Sequence, residues 1–277
     1  MAFPPTVPSD IQTSLQTNNL YPAFAHEMQR SEFLDELPPL QNYEFHLSQF
    51  SLYASTSYFI NAEVICGTLL SSYLSLNNEY EALKLEIKKF KEETKVNTDL
   101  LNEEEHEYAL TRHYRQLDNL NMKGDYLDDI KIVSEQGFIV QLWSFNEKFM
   151  SRIMKIFSNQ LELQFSIPSR WDKVLSFLSD VEINLLRIPK IYYSYDELRV
   201  LNNKIKHLGE VDEKLSEFSY FSGKEGEKLE AFTFELQRYL DSSYAFITFL
   251  AQELFIRAND EELKQNLLAM NKYTLSS

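Results

Sequence analysis

Cysteine is nearly missing from this chain. One cysteine, Cys66, in 277 residues excludes an intramolecular disulfide framework and any paired-cysteine metal site, and it fits a reducing compartment. Turn residues are scarce as well, with 6 Gly and 8 Pro. The prolines stand at positions 4, 5, 8, 22, 38, 39, 168 and 189, so residues 40–167 hold none, and only Gly67, Gly124 and Gly137 fall in that span. Hairpins and sandwiches need turn residues every few positions, so the scarcity argues against a β fold and predicts long helices. Basic residues are outnumbered, 27 Lys and Arg against 42 Asp and Glu, for a formal charge of −15. Such a chain repels a phosphate backbone on average, which argues against extended non-specific nucleic-acid binding and leaves room only for a local basic patch. No Lys or Arg precedes Arg30 and no early apolar run exists, so no secretory signal is expected. A Gly-rich phosphate loop and a nucleophile elbow are also lacking.

What is abundant is aromatic and helix-forming, with 20 Phe and 16 Tyr. The fold class predicted is all-α, a multi-helix bundle with long antiparallel helices. Residues 1–21 read as a loose arm, 22–124 as a helical N-terminal part, 125–257 as a second helical bundle and 258–277 as a tail. Within these, a short helix is expected over 22–36. A long one follows from 42 to 76, with Phe45, Leu52, Phe59, Cys66 and Tyr73 at every seventh position and a break at Asn77-Asn78. Residues 47–76 carry a single charge, Glu63, but the polar residues among them favour a buried core helix over a membrane span. Further helices are expected over 79–96, over 99–122 ending at Lys123-Gly124, and from 125 to 163, where Gly137 hints at close packing or a kink. Ser169 is placed to cap a helix reaching Leu186. Residues 210–226 read as an exposed loop before a helix over 227–257.

Between Tyr195 and Leu208 lies the stretch with the densest chemistry. Ser194 and Glu197 have the spacing of a capping box, and Gly209 is positioned to end the helix. At 100° per residue, Arg199, Asn202, Asn203, Lys206 and His207 share one arc, while Leu198, Leu201, Ile205 and Leu208 share the other. The polar arc reads either as a functional surface or as an ordinary solvated face whose terminal His and Lys suit the helix dipole.

The run Leu201-Asn202-Asn203-Lys204-Ile205-Lys206-His207-Leu208-Gly209 resembles the signature of the HEPN domains, small helical bundles that include RNA-cutting toxins and defence proteins. The likeness covers mainly residues 125–257. Where the family carries its Arg, four to six residues before the His, this chain has Asn202, and the nearest arginine is Arg199. The resemblance implies a homodimer with a metal-independent ribonuclease site needing no cofactor. In such a site His207 would handle protons and Arg199 or Lys206 would hold the phosphate, with Asn202, Asn203, Lys204 and Lys206 contacting RNA or a nucleotide. Imidazole suits proton transfer near neutral pH and guanidinium suits phosphate oxygens, so the roles are chemically sound. The resemblance further implies a cytoplasmic toxin–antitoxin or antiviral system, with an antitoxin or other protein as partner and no membrane. The rival reading is a catalytically inactive helical scaffold that binds a protein.

Two smaller features were weighed. Glu103-x-x-His106 has the spacing of half a di-iron motif, but the chain has no second such element, so a solvated face is expected and no metal. Tyr192, Tyr193 and Tyr195 have the chemistry to stack on bases, and packing beneath the helix start is the plainer use.

Overall fold

The computed structural model describes residues 33, 35–38, 43–94, 103–207, 209–270 and 273–275. The arm expected over 1–21, most of the 22–36 helix, the side chains of Glu103 and His106, and Leu208 lie outside the described residues. The fold is all-α and multi-helical, with a two-residue β-ribbon as its sole sheet among the described residues. Described residues up to Cys66 and from Phe138 onward belong to one compact unit; Gly67–Gly137 belong to a second.

The elements are α1 (Tyr43–Leu47), α2 (Gln49–Ser51), a π-helical segment (Leu52–Ser57), α3 (Tyr58–Thr94) and α4 (Glu103–Gln160). After β1 (Leu163–Gln164) come α5 (Trp171–Asp180), α6 (Pro189–His207), α7 (Glu213–Ser216), α8 (Leu236–Arg257), α9 (Glu261–Ala269) and β2 (Thr274–Leu275).

The helix expected over 42–76 is instead four pieces that run on without a break at Asn77-Asn78. Ser48 interrupts the chain, its Oγ accepting from the Ser51 amide as the cap of α2. The π turn then resets the helical phase. Leu52, assigned to the buried heptad, is 52% exposed, whereas Tyr58, Ala62, Ile65, Leu69, Tyr73 and Leu76 are buried. The extra residue of the π turn shifts the phase, so the buried stripe of α3, stepping by three and four, does not continue the line projected through Leu52. Asn77 is buried inside α3.

The two helices expected on either side of Lys123-Gly124 are one. Lys123 pairs with Glu86 at 2.7 Å, and a Cβ at Gly124 would meet only Leu83 Cδ2 at 3.9 Å. Gly137 is likewise mid-helix, and a Cβ there would meet nothing within 4 Å, which removes the close-packing reason expected for it.

In the second unit, α3 and α4 form an antiparallel hairpin. Tyr73 donates to Glu135 Oε1 (2.5 Å), Tyr80 to Asp128 Oδ1 (2.5 Å), and Phe90 stacks on His113 at 4.7 Å. Among the described residues one stretch, Gln49–Glu92, is long and apolar enough by length and composition to cross a membrane. Its buried face is tied by polar bonds, with Tyr58 donating to Asn146 in the first unit and Tyr73 to Glu135 in the second.

At the centre of the first unit is α8, buried from Leu236 through Phe255. It begins nine residues later than expected, because 227–235 form turns and a 3-10 segment (Leu229–Ala231). The 210–226 stretch is not simply an exposed loop: Val211, Leu215, Phe218 and Phe221 are buried, and Phe221 packs against Phe232 at 5.2 Å. Four aromatic rings within 218–232 make burial cheaper than exposure there. The tail returns to the core: α9 is capped by Asp260, and β2 pairs antiparallel with β1 through Leu163–Leu275 and Gln164–Thr274.

Candidate functional site

The helix with the signature starts six residues before the expected point. Pro189 occupies its first position, where the missing amide hydrogen costs nothing and the fixed φ suits a helix. Ser194 and Glu197 are therefore inside α6 and do not form a capping box. They face α8 instead. Glu197, fully buried, accepts from Arg238 Nη2 (2.6 Å), Arg238 Nη1 (3.1 Å) and the Tyr239 hydroxyl (2.6 Å); Arg238 also reaches Ser194 Oγ (3.1 Å) and Glu235 (2.5 Å). Burial would lower the Arg238 guanidinium, but Tyr239, Glu197 and Glu235 outweigh it and raise it above the usual arginine value. Burial, then Glu197, pushes Tyr239 far up, so this hydroxyl donates and does not ionise. Nothing in the local sequence signals this pair, whose members are 41 positions apart.

The C-terminal end of α6 forms as expected. Gly209 adopts φ 67°, and its amide donates to the Lys204 carbonyl at 2.9 Å, closing the last turn.

The expected polar arc does not act as one surface. Residues 197–202 of α6 are buried on all sides, Arg199 and Asn202 among them. Arg199 is 8% exposed; its Nε donates to Asp196 Oδ1 at 2.6 Å and its guanidinium sits 5.5 Å from the Trp171 ring centroid. Asn202 is buried, its Nδ2 3.4 Å from Asn203 Oδ1, and its own Oδ1 has no partner among the described residues. Lys204 is tied to Asp212. Asn203, Lys206 and His207 are exposed.

Arg199 and Asn203 belong to a cavity of about 880 Å³ between the C-terminal part of α4, the start of α5 and α6. His207 is not part of its lining, so within one chain Arg199 and His207 do not share a recess. Three aromatic residues are among its lining, Trp143, Trp171 and Tyr192, the first of them buried. Trp143 meets Trp171 edge-on at 6.1 Å, and both lean on Tyr195, which stacks on Phe246 at 3.9 Å. Of the three tyrosines before the signature, Tyr195 is therefore core, Tyr193 accepts from the Ser219 amide at 2.6 Å, and Tyr192 faces the cavity. Burial, then the Asp196 charge, raises the Tyr192 hydroxyl pKa.

Charge in the cavity is balanced. Arg170, Arg199 and Lys214 are matched by Glu147, Asp172 and Asp196. Arg170 holds Asp172 through Nε (3.1 Å) and Nη2 (3.0 Å). Arg170, not Ser169, occupies the N-cap position of α5, with no side-chain cap bond. That helix ends at Asp180, short of Leu186, because Glu182 turns left-handed (φ 57°) and Arg257 donates to the Val181 and Glu182 carbonyls at 2.6 and 2.7 Å. Trp171, the first residue of α5, is the ring beside which Arg199 sits.

Among the described residues no group of three His, Cys, Asp or Glu side chains is arranged to hold a metal ion. Chemically the cavity offers flat apolar walls, one buried guanidinium already half satisfied by a carboxylate, and amide and ammonium groups at the rim. Such groups are chemically suited to stacking on a planar group and to hydrogen-bonding its edge. No family model matches this chain, and neither the curated proteins nor the solved structures contain a match to it.

Proposed function

We propose that this protein is a HEPN-like helical module that binds a nucleotide or the exposed base of an RNA in the cavity at Arg199 and Asn203, without cutting RNA as a single chain. The observation that supports it is the joining of Asn203 of the signature-like run and the nearby Arg199 to Trp143, Trp171 and Tyr192 around one recess of about 880 Å³. That volume lies within the usual range for small-molecule pockets. Aromatic rings stack on any base, and such stacking contributes about 1–3 kcal/mol per base. Arg199, already paired with Asp196, contributes less to a bare phosphate than a free arginine does, so recognition falls on the base more than on its charge.

Cleavage needs an acid–base group at the phosphate, and His207 is outside this recess. A ribonuclease of this chain would require a second copy to bring an Arg199 to His207, or would rely on the neighbouring Lys206 as the cation. Calorimetric titration with mononucleotides and short single-stranded RNA tests the reading. Asn203→Ala removes an exposed cavity amide and is expected to weaken binding about three- to tenfold, one hydrogen bond's worth; His207→Ala is expected to leave affinity unchanged. The reverse pattern, with RNA cleavage lost in His207→Ala, would remove the proposal.

A further inference from the structure

The long exposed side of α4 in the second unit carries a repeating pattern, of which Asn119, Met122 and Tyr126 also border a groove shared with Glu86 and Phe90 of α3. Tyr108, Arg112, Arg115, Asn119, Met122, Tyr126, Asp129 and Val133 follow one another at steps of four and three, the spacing of a coiled-coil seam. Tyr108, Met122, Tyr126 and Val133 are 74%, 68%, 65% and 68% exposed, and Arg112, Arg115, Asn119 and Asp129 are exposed too. The packed side of this helix is different, carrying Leu120 and Leu127 at 6% and 7% exposure. The side chains of the eight seam residues make no hydrogen bond or ion pair with another described residue. A solvated helix has no need of four large apolar side chains at heptad spacing over about 38 Å.

We propose that this face binds the same face of a second copy of the chain, antiparallel. The seam is self-complementary in that direction alone. With the two helices opposed and centred between Asn119 and Met122, Tyr108 meets Val133, Arg112 meets Asp129, Arg115 meets the Tyr126 ring and Asn119 meets Met122, each contact occurring twice. Every first-type seam position then faces a second-type position of the partner, as antiparallel coiled coils require. Two opposite-charge contacts and two arginine–aromatic contacts result. A parallel pair in register would set Arg112 on Arg112, Arg115 on Arg115 and Asp129 on Asp129, three like-charge layers that repel. The polar positions thus select direction and register, and the apolar ones supply the burial.

The test is a charge exchange followed by sedimentation equilibrium of the full chain. The wild type is expected to sediment at twice 32.7 kDa at tens of micromolar. Arg112→Asp alone and Asp129→Arg alone each place like charges in both 112–129 contacts, and each is expected to raise the dimer dissociation constant at least tenfold. The double variant R112D/D129R restores the contact and is expected to return within threefold of wild type, and mixing the two single variants is expected to give a heterodimer tighter than either alone. Both sites are exposed, so circular dichroism is expected to be unchanged throughout. A monomeric wild type at 100 μM overturns the proposal, as does a dimer indifferent to the single reversals or a double variant no better than the singles.

Discussion

Glu197 shows how a residue's role follows from its three-dimensional partners. Three residues after a serine and near an apparent helix start, it has the credentials of a capping residue, yet it is sealed in the core with Arg238 and Tyr239 bonded to its carboxylate. A buried pair of this kind adds little over a hydrophobic pair of the same shape, but removing one partner strands the other charge at about 3–5 kcal/mol. Glu197→Ala is therefore expected to lower unfolding stability by about that amount in denaturant titration, and the double variant with Arg238→Met to recover a large part of it. A loss below about 1 kcal/mol in the single variant would mean that water reaches Arg238. The sequence could not reveal this pair, because its members come from different helices and neither has a local pattern that requires the other.

Elements were legible where a local rule governed them. The end of α6 at Gly209 was readable because a left-handed residue must follow the last turn, and the observed φ of 67° agrees. Its start was not, because Pro189 reads as a separator although proline is also at home in a first turn. Gly124 misled for a related reason: glycine weakens a helix without ending it, and the antiparallel contacts of α3 carry α4 through it. Gly137→Ala, with nothing within 4 Å of the new Cβ, is expected to stabilise the protein by about 1 kcal/mol, read as a higher urea midpoint. A lower midpoint would place an unseen contact at that turn. The junction of α6 and α7 carries a pH dependence. Burial raises the Asp212 carboxyl, but hydrogen bonds from Lys204 and from the Leu215 amide outweigh it and hold the folded pKa below the ordinary carboxylate value. A depressed folded pKa contributes stability above the unfolded value, about 3.9, and that contribution fades as pH falls through the folded one. Asp212→Asn keeps a cap for α7 and removes the charge, so its stability deficit is expected to be full at pH 6–7 and to close toward pH 3. A deficit constant across that range would contradict the charge argument.

On the scale of the whole molecule, composition was the most faithful guide. Few glycines and prolines left little room for strands, and the chain is all-α apart from one two-residue ribbon among the described residues. The cavity was half legible: Arg199 and Asn203 were singled out on α6, but Trp143 and Trp171 come from α4 and α5 and reach the same recess only through folding. His207 was singled out with them by helical phase, which fixes direction around an axis and not what a neighbouring helix covers. The account rests on that recess being where a ligand binds. Trp143 and Trp171 are the only tryptophans of the chain and both face it, so intrinsic fluorescence reports its occupancy without a label. Titration of the purified protein with mononucleotides and short RNA is predicted to change tryptophan emission saturably, with no RNA cleavage; an emission spectrum unmoved while calorimetry registers binding would place the site elsewhere and contradict the account.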